Sequence, residues 1–266
     1  DNIVTVVDAM RMQSEFDCGD TLVMKNIDEE DIENLVIQQI EFCNTVLLNK
    51  ASEVSPKELE RIKAIIRELQ PKAEIIECNY ADVELDKLLN THLFDYDKVS
   101  ASAGWIKGIE TSEEDAHKAE HEEDEHEHGH HHHHEHDGGE VEEYGIGTFV
   151  YCRRPAFDMN KFDNFVAKKW SRNIIRAKGL CYFSDDTDMS YLFEQAGRQF
   201  QLKAAGKWYA TAPEEDLKEI AQQDPDFMKD WDPKYGDRMQ KLVFIGQHLD
   251  KEQITKDLDF CLVSEE

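Results

Sequence analysis

Thr45-Val46-Leu47-Leu48-Asn49-Lys50-Ala51-Ser52, with Ser55-Pro56-Lys57-Glu58 close behind, sets the fold of this chain. Thr45–Leu48 is a short apolar run that stops abruptly on Asn49-Lys50, as a buried strand does when it leaves a core. Ser55 can cap a helix, Pro56 suits the first helical position, and Glu58 completes a capping box. Leu59, Ile62, Ile66 and Leu69 then recur at helical spacing, which predicts one buried stripe. Glu74–Cys78 is again strand-like. Strand, capped helix and strand in that order form a βαβ unit, whose two strands lie parallel.

The same alternation extends both ways. Upstream, Ile3–Val7 reads as a strand ending at Asp8, and Asp28 as the cap of a helix carrying Ile32, Leu35, Val36 and Ile40. Downstream, Val83–Leu89 reads as a short final helix. Residues 1–95 thus give β-α-β-α-β-α with a parallel sheet. Residues 96–143 read as a linker, irregular around Ala103-Gly104-Trp105 and then low in complexity.

The style changes over residues 144–266. Tyr144–Cys152 is strand-like, and Asp158 caps a helix bearing Phe162, Phe165 and Val166, with Trp170 extending an aromatic stripe expected to be core. Asn173–Phe183, Ser190–Gln195 and Gln199–Ala210 read as strands, Glu214–Gln222 as a helix, and Lys241–Gln247 as a strand. Asp250 with Gln253 opens a last helix with Ile254, Leu258, Cys261 and Leu262 on one face. This is a small α+β unit with a mainly antiparallel sheet and helices on one side.

The 266 residues carry a formal charge of −28, and the excess is local. Between Glu110 and Glu143 fifteen acidic residues stand against Lys118 alone, so half of the net charge lies in about an eighth of the chain. Such a field repels nucleic acid and anionic membrane surfaces and gathers cations. No apolar run reaches the length of a membrane span, and no signal peptide opens the chain. Cys18, Cys43, Cys78, Cys152, Cys181 and Cys261 are scattered without a CxxC pair, a pattern of reduced thiols that points to the cytoplasm. Each is expected to be a small buried hydrophobe. That includes Cys43, which could also be proposed as a ligand. The opening DNIVTVVDA already reads as a buried strand, so the sequence is expected to be a fragment of a longer one.

Ten of the twelve histidines lie in the acidic stretch: His117, His121, His126, His128, His130, His131, His132, His133, His134 and His136. Imidazole suits zinc, cobalt, nickel and copper, and neighbouring carboxylates can take up the second ring N–H of a bound histidine. So many interchangeable ligands specify several labile sites rather than one rigid site, which favours delivery or buffering over catalysis. Protons compete for the same nitrogens, so uptake weakens as pH falls. A purification tag is the competing explanation, but tags sit at chain ends and are not laced with glutamate and aspartate. A merely solvated acidic linker is another.

Several stretches stand in a telling order and spacing. In the first half these are Thr5-Val6-Val7-Asp8-Ala9, Gln39-Ile40-Glu41-Phe42-Cys43-Asn44, Leu47-Leu48-Asn49-Lys50 and Leu69-Gln70-Pro71-Lys72-Ala73-Glu74-Ile75-Ile76. In the second half they are Tyr144 to Tyr151 with Arg153-Arg154-Pro155, Arg176-Ala177-Lys178-Gly179, and Gln195-Ala196-Gly197. Together they resemble the CobW-like P-loop GTPases. The resemblance implies the later part of a P-loop GTPase parallel sheet (1–95), a metal-binding linker (96–143) and a CobW-like C-terminal domain (144–266), an α/β chain overall. It also implies a metallochaperone that uses GTP with Mg2+ to pass Zn2+ or Co2+ to a client metalloprotein, with self-association left open. Asn49 and Lys50 carry over as residues of the base site. Ser52 stands where the family's NKxD pattern has aspartate; a hydroxyl lacks that charge and its bidentate reach. The family's phosphate loop, magnesium-associated motif and CxCC site do not occur in these residues, so the chain by itself is expected not to hydrolyse GTP. Arg153-Arg154 and Arg176/Lys178 could form a basic surface for a client or the G-domain, or be plain solvated strand edges. Two other functions fit the residues: a metal buffer or store without turnover, and an activator dedicated to one metalloenzyme.

Overall fold

A computed structural model describes residues 1–16, 35–110, 144–197, 199–223, 228 and 231–264. Strands β1 (Val4–Asp8), β2 (Thr45–Asn49) and β3 (Glu74–Cys78) form a parallel sheet in the order β1-β2-β3. In that register Asp8 lies beside Asn49 and Asn49 beside Cys78, so the three strands end level. Helix α1 (Ala9–Phe16) starts directly after β1, with Asp8 Oδ1 accepting from the Arg11 backbone N–H at 3.2 Å. Helix α2 covers residues 35–41 and buries Ile37 and Ile40; Asp28 and Ile32 lie outside the described residues. Helix α3 (Pro56–Leu69) begins as its sequence dictates. Ser55 Oγ accepts from the Glu58 N–H, Pro56 opens the first turn, and Leu59, Ile62, Ile66 and Leu69 are all buried.

Two expectations fail here. Val83–Leu89 is not a helix but a single 3-10 turn at Leu85–Lys87. Leu85 and Leu89 remain exposed, so no packed face offsets the cost of nucleating so short a helix. The segment expected to be irregular instead holds α4 (Tyr96–Ser100) and α5 (Gly104–Glu110). Gly104 is what lets α5 approach α3. A Cβ at that position would lie 1.8 Å from the Glu68 carbonyl oxygen. Val99 and Ala103 are buried, and Trp105 packs against the core.

The second sheet contains β4 (Ile146–Arg153), β5 (Ile174–Phe183), β6 (Asp186–Ala196), β7 (Gln199–Lys207) and β8 (Gln240–Gln247). It is antiparallel, in the order β4-β8-β5-β6-β7. One face packs on α6 (Met159–Lys168) and α8 (Lys251–Cys261) through Phe157, Phe162, Phe165, Phe193, Phe244, Ile254, Leu258 and Cys261, with Trp170 at the margin. The caps are those read from sequence: Asp158 accepts from Lys161 N–H and Asp250 from Gln253 N–H, each at 2.9 Å. Helix α7 (Glu214–Gln223) follows β7.

The other face of this sheet meets the first. Ile146, Ile175, Ala196 and Ile245 join Ile62, Ile65, Ile66 and Leu69 in one continuous cluster. Each fully buried aliphatic side chain contributes roughly 1.5–3 kcal/mol, so this seam is a packed core rather than a loose hinge. Polar groups are matched across it. The Arg61 guanidinium donates to Gln247 Oε1 at 2.8 Å, and Thr148 Oγ1 to Glu68 Oε2 at 2.8 Å.

Candidate nucleotide and metal sites

Three parallel strands ending level present their last residues and the following loops to one side, where ligands of open α/β sheets bind. Asp8, Asn49 and Cys78 close the strands. Lys50 follows Asn49 in the left-handed conformation, φ 58°. Its ammonium meets the Asp8 carboxylate at 2.5 Å. Burial pushes the Asp8 carboxyl up, but the Lys50 ammonium and the Arg11 N–H outweigh it and leave Asp8 below its ordinary range.

The loop after β3 is tied to the loop after β2. Asn49 Oδ1 accepts from the Ala81 N–H at 3.0 Å, and Asn79 Oδ1 accepts from Ser52 N–H at 3.1 Å and Ser52 Oγ at 2.8 Å. Tyr80 and Ala81 are both left-handed, φ 55°, a conformation that costs about 1–3 kcal/mol per non-glycine residue. Such strain persists where neighbouring contacts over-determine it, as these side-chain acceptors do. Tyr80, with 94% of its surface exposed, stands clear of the loop.

The structure therefore brings Asn49, Lys50 and Ser52 together and adds Asp8, Asn79, Tyr80 and Ala81. Asn79 directly follows the third strand, the position that strand-end binding singles out, and that signal could have found it. The donor and acceptor set fits the edge of a nucleobase. Asn49 Oδ1 is engaged, which leaves its amide N–H2 to donate; the Ser52 hydroxyl oxygen can still accept.

The histidines from His117 to His136 lie outside the described residues. Among the described residues, no three His, Cys, Asp or Glu side chains are grouped to hold a metal ion. Cys43 is core: it is 2% exposed, its thiol donates to the Ile40 carbonyl, and burial pushes its pKa up to about 11. Cys78, Cys152, Cys181 and Cys261 are likewise buried, and none of them forms a disulfide. Cys18 lies outside the described residues.

The arginines correct the expectation of a basic surface. Arg176 is 2% exposed, and its guanidinium grips Glu41 of α2 in two bonds of 2.7 and 3.0 Å. Arg154 is buried and donates to the carbonyls of Gly236 and Arg238, while Arg153 pairs with Asp259 at 3.0 Å. Lys178 meets Glu194 at 2.6 Å and lies 4.1 Å over the Trp105 ring. Arg176 and Lys178 thus point at the first sheet's helices, not at solvent.

Residues 1–77 match the nucleotide-binding domain of CobW/HypB/UreG proteins. Residues 146–262 match the C-terminal domain of the cobalamin synthesis protein CobW. Together the two models take in well over half of the chain, in the CobW order. The chain belongs to the CobW-like family. A curated relative, zinc-regulated GTPase metalloprotein activator 1 of Dictyostelium discoideum, is 28% identical over 273 residues, covering 100% of this chain and 52% of that protein. The chain thus spans about half the length of the curated relative it matches. Crystal structures of zinc-bound YjiA GTPase from E. coli and of a zinc-bound triple mutant of YjiA GTPase are each 14% identical. Each alignment covers 99% of this chain and 61% of that one, with TM-scores of 0.37 and 0.36. The CobW nucleotide-binding match holds β1, β2 and β3 up to Glu77, with Asp8, Asn49, Lys50 and Ser52. The CobW C-terminal match holds Arg176 and Lys178.

Proposed function

We propose that this chain is the later part of a GTP-dependent metallochaperone that delivers a divalent transition ion of the zinc or cobalt class to a client metalloprotein. The observation that carries the reading is the convergence of Asn49, Lys50, Ser52 and the strained Asn79–Ala81 loop at the level ends of a parallel sheet. Asn49 and Ser52 receive the base edge, Asn79 holds Ser52 in place, and Lys50, fixed by Asp8, closes the floor. GTP with Mg2+ supplies, when bound, the free energy that drives the cycle. The groups for phosphate and magnesium are not among these residues. The ion is cargo, gathered by His117, His121, His126, His128, His130 to His134 and His136. That segment leaves from α5 and returns into β4, and both elements pack on α3 beside the seam. A change at the nucleotide sheet therefore has a packed route to the segment's two stems.

A second reading, a metal buffer without turnover, draws on the same histidine tract, whose many interchangeable ligands suit storage as well as delivery. The two part on GTP turnover of the native-length protein with zinc and with cobalt, measured beside a variant lacking residues 117–136. The metallochaperone reading expects metal-dependent turnover that the deletion alters. Metal uptake with no turnover at all would favour the buffer.

A further inference from the structure

Among the described residues, strand β7 is the outer strand of the antiparallel sheet and pairs only with β6. An edge strand offers a row of backbone N–H and C=O groups to any extended chain that can reach it, and proteins ordinarily blunt such edges. Over Gln199–Ala204 this edge carries no proline, and its one charge, Lys203, meets Glu194 of β6 at 3.6 Å yet stays 62% exposed in its side chain, open to a second carboxylate. The register first shifts beyond Ala204, where Gly206 pairs with Ser190. Eight of the nine residues of β7 are exposed. Phe200 and Leu202 share one face, 38% and 39% exposed, with Phe200 edge-on to Trp170 at 5.1 Å. Lys203 stands on the opposite face, and the shift brings Lys207 onto the side of Leu202.

Charge selects the occupant. Within a chain of −28, β7 (Gln199–Lys207) holds two lysines and no acidic residue. Opposite charges across a strand pair attract and like charges repel. A second copy of β7 would bring the same two lysines against these, and nucleic acid is repelled by the chain as a whole. An extended segment bearing carboxylates is repelled by most of this surface and accommodated here, which gives specificity as well as affinity. We propose that the outer edge of β7 is a docking site for an extended, carboxylate-bearing segment of the client protein, added as a sixth strand. Backbone bonds along Gln199–Ala204 supply the pairing, Phe200 and Leu202 take alternate apolar side chains, and Lys203 and Lys207 fix the register. The proposal deepens the client-delivery reading and rests on it for the partner's identity.

The probe is an end-capped peptide alternating valine with glutamate, compared with its lysine counterpart and with a proline-interrupted form. Anisotropy gives the affinities, and amide hydrogen exchange on the whole chain locates the contact. The glutamate peptide is expected to slow exchange within residues 199–204 and to bind about tenfold or more tighter than either control. Lys203→Glu with Lys207→Glu should reverse the preference between glutamate and lysine peptides. Lys203→Gln with Lys207→Gln, which adds no charge, should abolish it even if the glutamates disturb the strand. Equal affinity for all three peptides would overturn the proposal. So would protection located elsewhere, or β7 protected without peptide by concentration-dependent pairing of two copies. Neither nucleotide nor metal enters this assay, so its failure leaves the proposed function standing, and failure of that function leaves the peptide result intact.

Discussion

Glu41→Gln tests whether the seam between the sheets is held by the buried ion pair. Arg176 is 2% exposed and Glu41 9% in their side chains, and the carboxylate takes two guanidinium bonds at once. Removing the charge on Glu41 leaves Arg176 buried with the Gln195 carbonyl at 3.2 Å and Glu194 at 3.6 Å. An uncompensated buried charge costs about 3–5 kcal/mol. Glu194 is near enough to offset part of it, which puts the expected loss near the lower bound, about 3 kcal/mol. At roughly 2–4 °C per kcal/mol for a chain of this size, the melting temperature should fall by about 6–12 °C. Replacing both partners with apolar residues, Glu41→Leu with Arg176→Met, removes both desolvation costs and should restore most of the loss. Urea unfolding followed by tryptophan fluorescence and by circular dichroism measures both. A single-variant loss under about 1 kcal/mol, or a double variant no better than Glu41→Gln, would refute this account of the seam.

At the nucleotide site, Tyr80→Ala should weaken binding of a guanosine nucleotide to the native-length protein by about 1–3 kcal/mol if the ring stacks on the base. Stability should be unaffected, because Tyr80 is 94% exposed. Ser52→Asp should tighten guanosine binding by about tenfold or more, since a carboxylate adds charge-assisted bonds; an unchanged affinity would remove Ser52 from the base site. Acid should also act through identifiable carboxyls. Burial pushes Glu194 up, but Lys178, Arg176 and Lys203 outweigh it, so its folded pKa lies below its ordinary 4.5. Its stabilisation is therefore present above that value and lost as pH falls through the depressed one. Glu194→Gln should flatten the acid limb of a urea-midpoint profile below about pH 5, and an unchanged limb would contradict this. Burial pushes the thiols of Cys43 and Cys261 up to about 11 and Cys181 higher still. Site-resolved mass spectrometry at pH near 8 should find all three unalkylated until the chain is unfolded.

Much of the fold was legible in local pattern. Glu74–Cys78 is the third strand as read, and Ser55, Asp158 and Asp250 cap the helices assigned to them, because capping and periodicity act over four residues. Long-range pairing was not legible. Glu41 and Arg176 are 135 residues apart, and nothing local distinguishes a buried arginine from a solvated one. Val83–Leu89 has helical spacing but no core to face, so periodicity alone misled. Gly104 looked like a loop residue and is a contact point, where only the lack of a Cβ lets two helices meet. Of the candidate site, Asn49, Lys50 and Ser52 were readable from sequence. Asn79 and Asp8 became partners only through the parallel register that levels the three strand ends.

In the proposed cycle, nucleotide state sets how tightly the histidine segment holds its ion. Calorimetric zinc affinity of the native-length protein, loaded in turn with a non-hydrolysable GTP analogue and with GDP, tests it most directly. Allosteric coupling of ordinary size separates the two affinities by about 5–150-fold, and deleting residues 117–136 should erase the difference. Equal zinc affinity in both nucleotide states, or an undiminished difference after the deletion, would contradict the account.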